Sequence, residues 1–187
     1  PLQHPLKGKY NYLFGNDFFI APIYKDSYQR TLRLPKGQWR YFFDDRKLFS
    51  GGTELTRDYP LDEFPVYIRE GAIIPMNIQR HYTGFGDEAS DGYITYLIYP
   101  HGENRFVHHH PENSGETTIL VIKDGNIRIE MNGYVQPHIL LVNGEKPLSV
   151  KMNTLVLSGE EWAFDPHKSK IRLKNTSKTD VIYEIIY

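Results

Sequence analysis

The chain has 187 residues, no cysteine, and 22 basic against 23 acidic side chains, with a pI near 6.8. A chain of this length can bury roughly 70% of its unfolded surface without covalent staples, and the lack of cysteine excludes disulfides, thiolate metal sites and a cysteine nucleophile. The balanced charge gives no general pull toward nucleic acid or anionic lipid, and no apolar run reaches the roughly 20 residues that cross a bilayer.

The N-terminus, PLQHPLKGKY, lacks the basic-then-apolar order of a signal peptide. It opens on proline rather than methionine, so a piece of a longer or processed protein is expected, and the compartment (secreted, periplasmic or cytoplasmic) stays open. The first apolar pattern is KGKYNYLFG, where Tyr10, Leu13 and Phe14 fall three and four apart and Gly15 can cap; it predicts a short helix. Runs rich in β-branched and aromatic residues then predict strands at 18–23, 31–34, 39–43, 66–69 and 72–75. The last two sit back to back in EFPVYIREGAIIPM, which reads as two short strands joined at a glycine turn or bulge. Arg69 and Glu70 would mark its exposed corner, and Gly71 would supply the backbone freedom.

From Asn77 to Gly92 the apolar pattern gives way to Gly, Asp and Ser, a connection between two β units. Further strands are predicted at 93–100, 105–109, 117–123, 127–132, 138–143, 153–158, 170–175 and 181–187. PKGQ after Leu34, KDGN before Ile127 and VNGEKP after Leu141 carry hairpin-turn residues. Across Asp124-Gly125 a hairpin over 117–132 is expected, with Ile127, Ile129 and Met131 on its buried face and Arg128, Glu130 and Asn132 outside. The sum is an all-β chain of two antiparallel β-sandwich-type domains, at 17–80 and 81–187, after a short segment at 1–16.

The side chains that could carry chemistry are few. Asp44-Asp45, Asp62-Glu63 and Glu160-Glu161 are adjacent pairs at turns, and neighbours on a strand point to opposite faces, so they read as solvated turns rather than catalytic pairs. His108 and His110 would share a strand face and could hold zinc with His101 or Glu112. An exposed strand end stopped by Pro111 is the plainer reading, so no metal and no cofactor are expected. Trp39, Trp162 and the 14 tyrosines raise a sugar-stacking platform, against core packing for both tryptophans. Asn175-Thr176-Ser177 fits a glycosylation acceptor.

Three segments in order, YLFGNDFFIAPIY (12–24), RLPKGQWRYFF (33–43) and YPLDEFPVYIREGAIIP (59–75), resemble the region that follows the catalytic barrel in family 31 glycoside hydrolases, the α-glucosidase and α-xylosidase family. The joint placement of Trp39, Pro65, Arg69 and Gly71 carries the likeness. Residues 93–187 resemble the family's distal β-domain more loosely: many members carry an acidic Y-x-D-D-G element where this chain has IYPHGENRFVHHHPENSGETT.

The resemblance implies a helical remnant of a (β/α)8 barrel at 1–16, a proximal β-domain at 17–80 and a distal β-sandwich at 81–187. It implies a retaining mechanism, which needs two carboxylates about 5 Å apart, both lying on barrel strands upstream of this sequence. No catalytic residue is therefore expected here, and the substrate-contacting residues are unknown. The fragment alone is expected to be inactive, with the barrel as its partner and carbohydrate met only through the parent, which would hydrolyse terminal α-linked glucose or xylose. The alternative is a carbohydrate-binding β-sandwich module using exposed aromatics; a third reading, an adhesion sandwich, lacks the Asp-rich loops of a calcium site. Surface freed from the barrel would leave an apolar patch near Tyr10–Phe19 and drive homodimerisation or poor solubility.

Overall fold

The computed structural model describes residues 10–78, 86 and 88–187. Residues 1–9 and half of the 77–92 connection lie outside them, and with them most of the expected barrel remnant. The chain divides into two compact units, one ending at Glu70 and one starting at Gly71.

The first unit holds a five-stranded sheet in the order β1 (Tyr12–Phe14), β2 (Phe18–Ile20), β7 (Val66–Arg69), β4 (Gln38–Tyr41), β5 (Asp44–Ser50). A separate two-stranded ribbon pairs β3 (Gln29–Arg33) with β6 (Glu54–Asp58). The helix expected over KGKYNYLFG is not formed by its described part. Tyr12–Phe14 is instead the first strand of a hairpin, Tyr12 opposite Ile20 and Phe14 opposite Phe18, turned through Gly15 at φ 63°. As a strand the segment puts Tyr12 and Phe14 on one face and Leu13 on the other, and the cross-strand partners Phe18 and Ile20 hold it against the single helical turn the spacing offered. PKGQ is likewise not a hairpin turn: it carries the chain from the ribbon to the sheet, because β3 pairs only with β6 while β4 pairs with β5 and β7.

Between ribbon and sheet the core is aromatic: Phe19, Trp39, Tyr41, Tyr59 and Tyr67 with Ala21, Leu32 and Leu34, all buried. Trp39 meets Phe19 edge-on at 6.1 Å and donates its indole N–H to Pro35 O at 2.8 Å, which satisfies the polar atom of a fully desolvated ring. Tyr59 and Tyr67 share a hydrogen bond between their hydroxyls at 2.6 Å. Burial pushes both phenols up from their ordinary pKa.

The second unit is a sandwich of two sheets. One runs β10 (Glu103–His110), β11 (Gly115–Asp124), β12 (Asn126–Gly133), β18 (Val181–Ile186), β14 (Ser149–Met152), β15 (Leu155–Val156). The other runs β16 (Trp162–Asp165), β17 (Lys170–Asn175), β13 (His138–Asn143), β9 (Ile94–Ile98), β8 (Ile73–Met76). The β11–β12 hairpin turns at Gly125, φ 69°, and its Ile127, Ile129 and Met131 are buried as the alternation requires. VNGEKP crosses from one sheet to the other rather than closing a hairpin, and β13 pairs with β9 in parallel.

The back-to-back strands of EFPVYIREGAIIPM are β7 and β8, and they belong to different sheets in different units. Gly71, at φ 90°, starts the second unit: its N–H donates to Tyr99 O, and a Cβ built there would stand 2.5 Å from the Asn104 amide. The expected domain limit at 80/81 thus differs from the sheets, which change at 70/71. A turn glycine is visible in sequence, but which sheet claims the next strand depends on the apolar face available to it.

Candidate functional site

Over β1, β2 and β7 the first unit's sheet is apolar on both faces. Residues opposite one another in neighbouring strands share a face. The register places Tyr12, Phe14, Phe18, Ile20, Val66 and Ile68 on the side away from Phe19, Tyr67 and the aromatic core. Sheets with one wet face alternate apolar with polar, whereas unbroken apolar runs such as Phe18-Phe19-Ile20 and Val66-Tyr67-Ile68 mark strands meant to be covered on both sides.

That outer face continues as a row of rings. Centroids step from Phe14 to Phe18 at 6.3 Å, to Phe42 at 6.3 Å, to Phe43 at 5.2 Å and to Phe64 at 6.2 Å. Phe14, Phe43 and Phe64 are exposed, as are Tyr10, Tyr12 and Leu13. Phe19, at the far end of the expected Tyr10–Phe19 patch, points instead into the core. Beside the row, Tyr12, Ile20, Tyr28, Tyr59, Leu61 and Phe64 help line a cleft of about 410 Å³. Glu63 sits in its wall, its Oε2 accepting from the Tyr41 hydroxyl at 2.6 Å. Burial, then this contact, raises the Tyr41 phenol's pKa.

One ion pair closes the end of the sheet. Arg40, opposite Ile68, donates to Glu70 and, through Nη1, to Asp45 O at 2.8 Å. Where the register predicts an apolar neighbour, the guanidinium is neutralised rather than left bare.

None of the acidic pairs converges. Asp44 accepts from Arg46 at 2.8 Å and lies 3.3 Å from the Lys47 ammonium, which together hold its carboxyl below the usual range. Glu63 is engaged by Tyr41, and Glu161 closes a turn on the Ser158 N–H and hydroxyl at 2.8 and 3.0 Å. Asp44 and Glu161 serve their own turns, and Glu63 holds the Tyr41 hydroxyl.

In the second unit His108 and His110 do share a face, their rings 4.2 Å apart, but each is spent on a hydroxyl: His108 Nδ1 on Tyr96 at 2.8 Å and His110 Nε2 on Thr117 at 2.8 Å. Among the described residues no group of three or more His, Asp or Glu could hold a metal. Trp162 packs on the sandwich core, and Tyr134 is the one tyrosine, phenylalanine or tryptophan of this unit that stands well exposed among the described residues. A sugar platform built on this unit's exposed aromatics has little to stand on. Asn175 is buried, its amide donating to Tyr183 Oη at 2.8 Å and its carbonyl accepting from Ser177 N at 2.8 Å. It is therefore spent as a structural link and closed to a glycosyl acceptor role in the folded chain.

Comparison with known proteins agrees with this arrangement. Residues 4–74 match the family model described as the glycosyl hydrolase family 31 C-terminal domain. An α-xylosidase of Emericella nidulans is 32% identical over 73 residues, 35% of this chain and 9% of that protein. An α-glucosidase of Saccharolobus solfataricus is 27% identical over 138 residues, 74% of this chain and 16% of that protein. The cycloalternan-forming enzyme of Listeria monocytogenes shares the fold at a TM-score of 0.82 and 20% identity, over 94% of this chain and 18% of that one. The fold is shared with a β-rich part of that solved structure, and the family match falls on residues 4–74. Residues 4–74 carry the C-terminal domain of glycosyl hydrolase family 31, and the chain spans less than a fifth of the length of each of these relatives.

Proposed function

We propose that this chain is the non-catalytic C-terminal region of a family 31 α-glycosidase acting on terminal α-linked glucose or xylose, and that the outer face of its first sheet docks on the catalytic barrel. The observation that carries the reading is the sheet's second apolar face with its exposed row of rings: exposed apolar patches mark surfaces that meet a partner. The substrate class rests on the α-xylosidase and α-glucosidase relatives. Retention of configuration rests on the family resemblance, with both carboxylates supplied from outside these residues.

The test is a full-length parent carrying Phe14→Asp with Phe64→Asp. Charges placed in the docked face should lower the barrel's melting temperature by several degrees while leaving KM near that of the unmodified enzyme. An unchanged melting temperature would show that this face supports nothing.

A further inference from the structure

The cluster around His108 lies in the second unit and has internal chemistry of its own. β10 is the edge strand of the six-stranded sheet, bonded on one side to β11. Phe106, His108 and His110 alternate along it toward the sandwich interior. Tyr96 reaches across from β9 of the opposite sheet, its hydroxyl 2.8 Å from His108 Nδ1 and its ring edge-on to the imidazole at 5.7 Å.

The hydrogen-bond directions fix what each ring does. Thr117 donates its hydroxyl proton to Tyr134 O, so toward His110 it accepts, and His110 Nε2 carries the hydrogen. Tyr96 is fully buried, and among the described residues His108 Nδ1 is the hydrogen-bond partner of its hydroxyl. With His108 neutral, the phenol donates and is satisfied. With His108 cationic, Nδ1 becomes a donor and the phenolic proton loses its acceptor, a buried donor left unmade. The second imidazole, 4.2 Å away, makes a cation there worse still.

We propose that the His108–His110 stack is a proton-sensitive clasp: neutral, it ties edge strand β10 to Tyr96 of the facing sheet, and protonation releases β10 locally while the sandwich stays folded.

The other groups facing the stack do not remove this dependence. His109 points to the opposite side of β10, where Glu116 of β11 holds it at 2.8 Å. Glu112, in the turn after β10, favours the cation at His110, but more weakly than burial opposes it. From β12's end Tyr134 offers a ring at 5.3 Å and no charge. For His108, burial and then His110 and His109 all act to keep the ring neutral.

Amide hydrogen exchange resolved by segment, at pH 7 and pH 5, tests the clasp together with the titration of the imidazole Cε1 protons. After correction for intrinsic exchange, protection over residues 103–110 should fall about tenfold per bound proton, so about tenfold to a hundredfold for the two rings, for each pH unit below the ordinary histidine value until the clasp's own value is reached. Protection of β12 over the same range should hold. His108→Gln, which keeps an acceptor for Tyr96 but cannot bind the proton, should reduce the dependence to what His110 alone supplies. If that variant does not fold, the direct titration decides: both rings must titrate below the model histidine. Rings that titrate at or above 6.5, β10 protection indifferent to pH, or a pH dependence undiminished in His108→Gln would each overturn the proposal.

Discussion

Removing two exposed rings from the outer face of the first sheet should abolish self-association without unfolding the chain. Tyr12, Phe14, Phe43 and Phe64 are 45%, 66%, 40% and 47% exposed. An aromatic side chain carries about 200 Å², so these four offer roughly 400 Å² of apolar surface to a partner. A pair of chains buries this face twice, so at about 25 cal/mol per Å² the gross gain is at most about 20 kcal/mol, against an association cost of 4–15 kcal/mol and the further cost of ordering and desolvating the contact. The net gain is a few kcal/mol for a free copy, and a partner tethered in the same chain would bind at a higher effective concentration. For the isolated chain it predicts weak, concentration-dependent dimerisation through this face. Sedimentation velocity from about 10 µM to about 1 mM would show it, the upper end being the concentration at which about 4 kcal/mol of net affinity half-populates a dimer. Phe14→Ser with Phe64→Ser withdraws about half of the surface and should leave a monomer throughout, with stability changed by no more than about 0.5 kcal/mol per exposed site. Wild-type chain that stays monomeric at 1 mM, or a double variant that associates equally well, would refute the reasoning.

Core positions should behave in the opposite way. Trp39→Ala removes a buried ring and its bond to Pro35 O and should cost about 3–5 kcal/mol in denaturant unfolding; Tyr59→Phe, which breaks the Tyr59–Tyr67 pair, should cost about 1 kcal/mol. Gly71→Ala forces φ 90° on a residue with a Cβ 2.5 Å from Asn104 and should cost roughly 1–3 kcal/mol. His138 is buried between Gln136 O, to which Nδ1 donates at 2.7 Å, and the Tyr183 hydroxyl at 2.8 Å, and burial depresses its pKa. The unfolded chain then binds its proton first, so stability is full above about pH 6.5 and falls as pH drops from there through the folded value. Tyr183→Phe should lower stability at neutral pH, measured by thermal melts across pH 5–8.

The strand content was written in local composition. HILLVN, KIRLKN and VYIR form strands at the residues where their β-branched runs begin and end, because burial on at least one face leaves the register no freedom. What escaped was polar or pairing-dependent. DDRKLFS and ELTRD form β5 and β6 although most of their side chains face solvent; backbone pairing to Trp39 and Leu32 holds them, and their own residues advertise nothing. The outer apolar face, for which docking is proposed, was half legible. Phe18-Phe19-Ile20 and Val66-Tyr67-Ile68 already break the alternation of a one-sided sheet, but Phe43 and Phe64 join the row only through the turns that bring them 6.2 Å apart. The histidine pair was visible by its spacing, while its spent nitrogens depend on Tyr96 and Thr117, which no spacing rule connects to it.

Turnover of an aryl α-glucoside and an aryl α-xyloside by the purified 187-residue chain tests the central claim most directly. The account predicts a rate indistinguishable from buffer for both. A rate that persists through repurification and vanishes when one of the chain's own carboxylates, Glu63 among them, is replaced by its amide would contradict it.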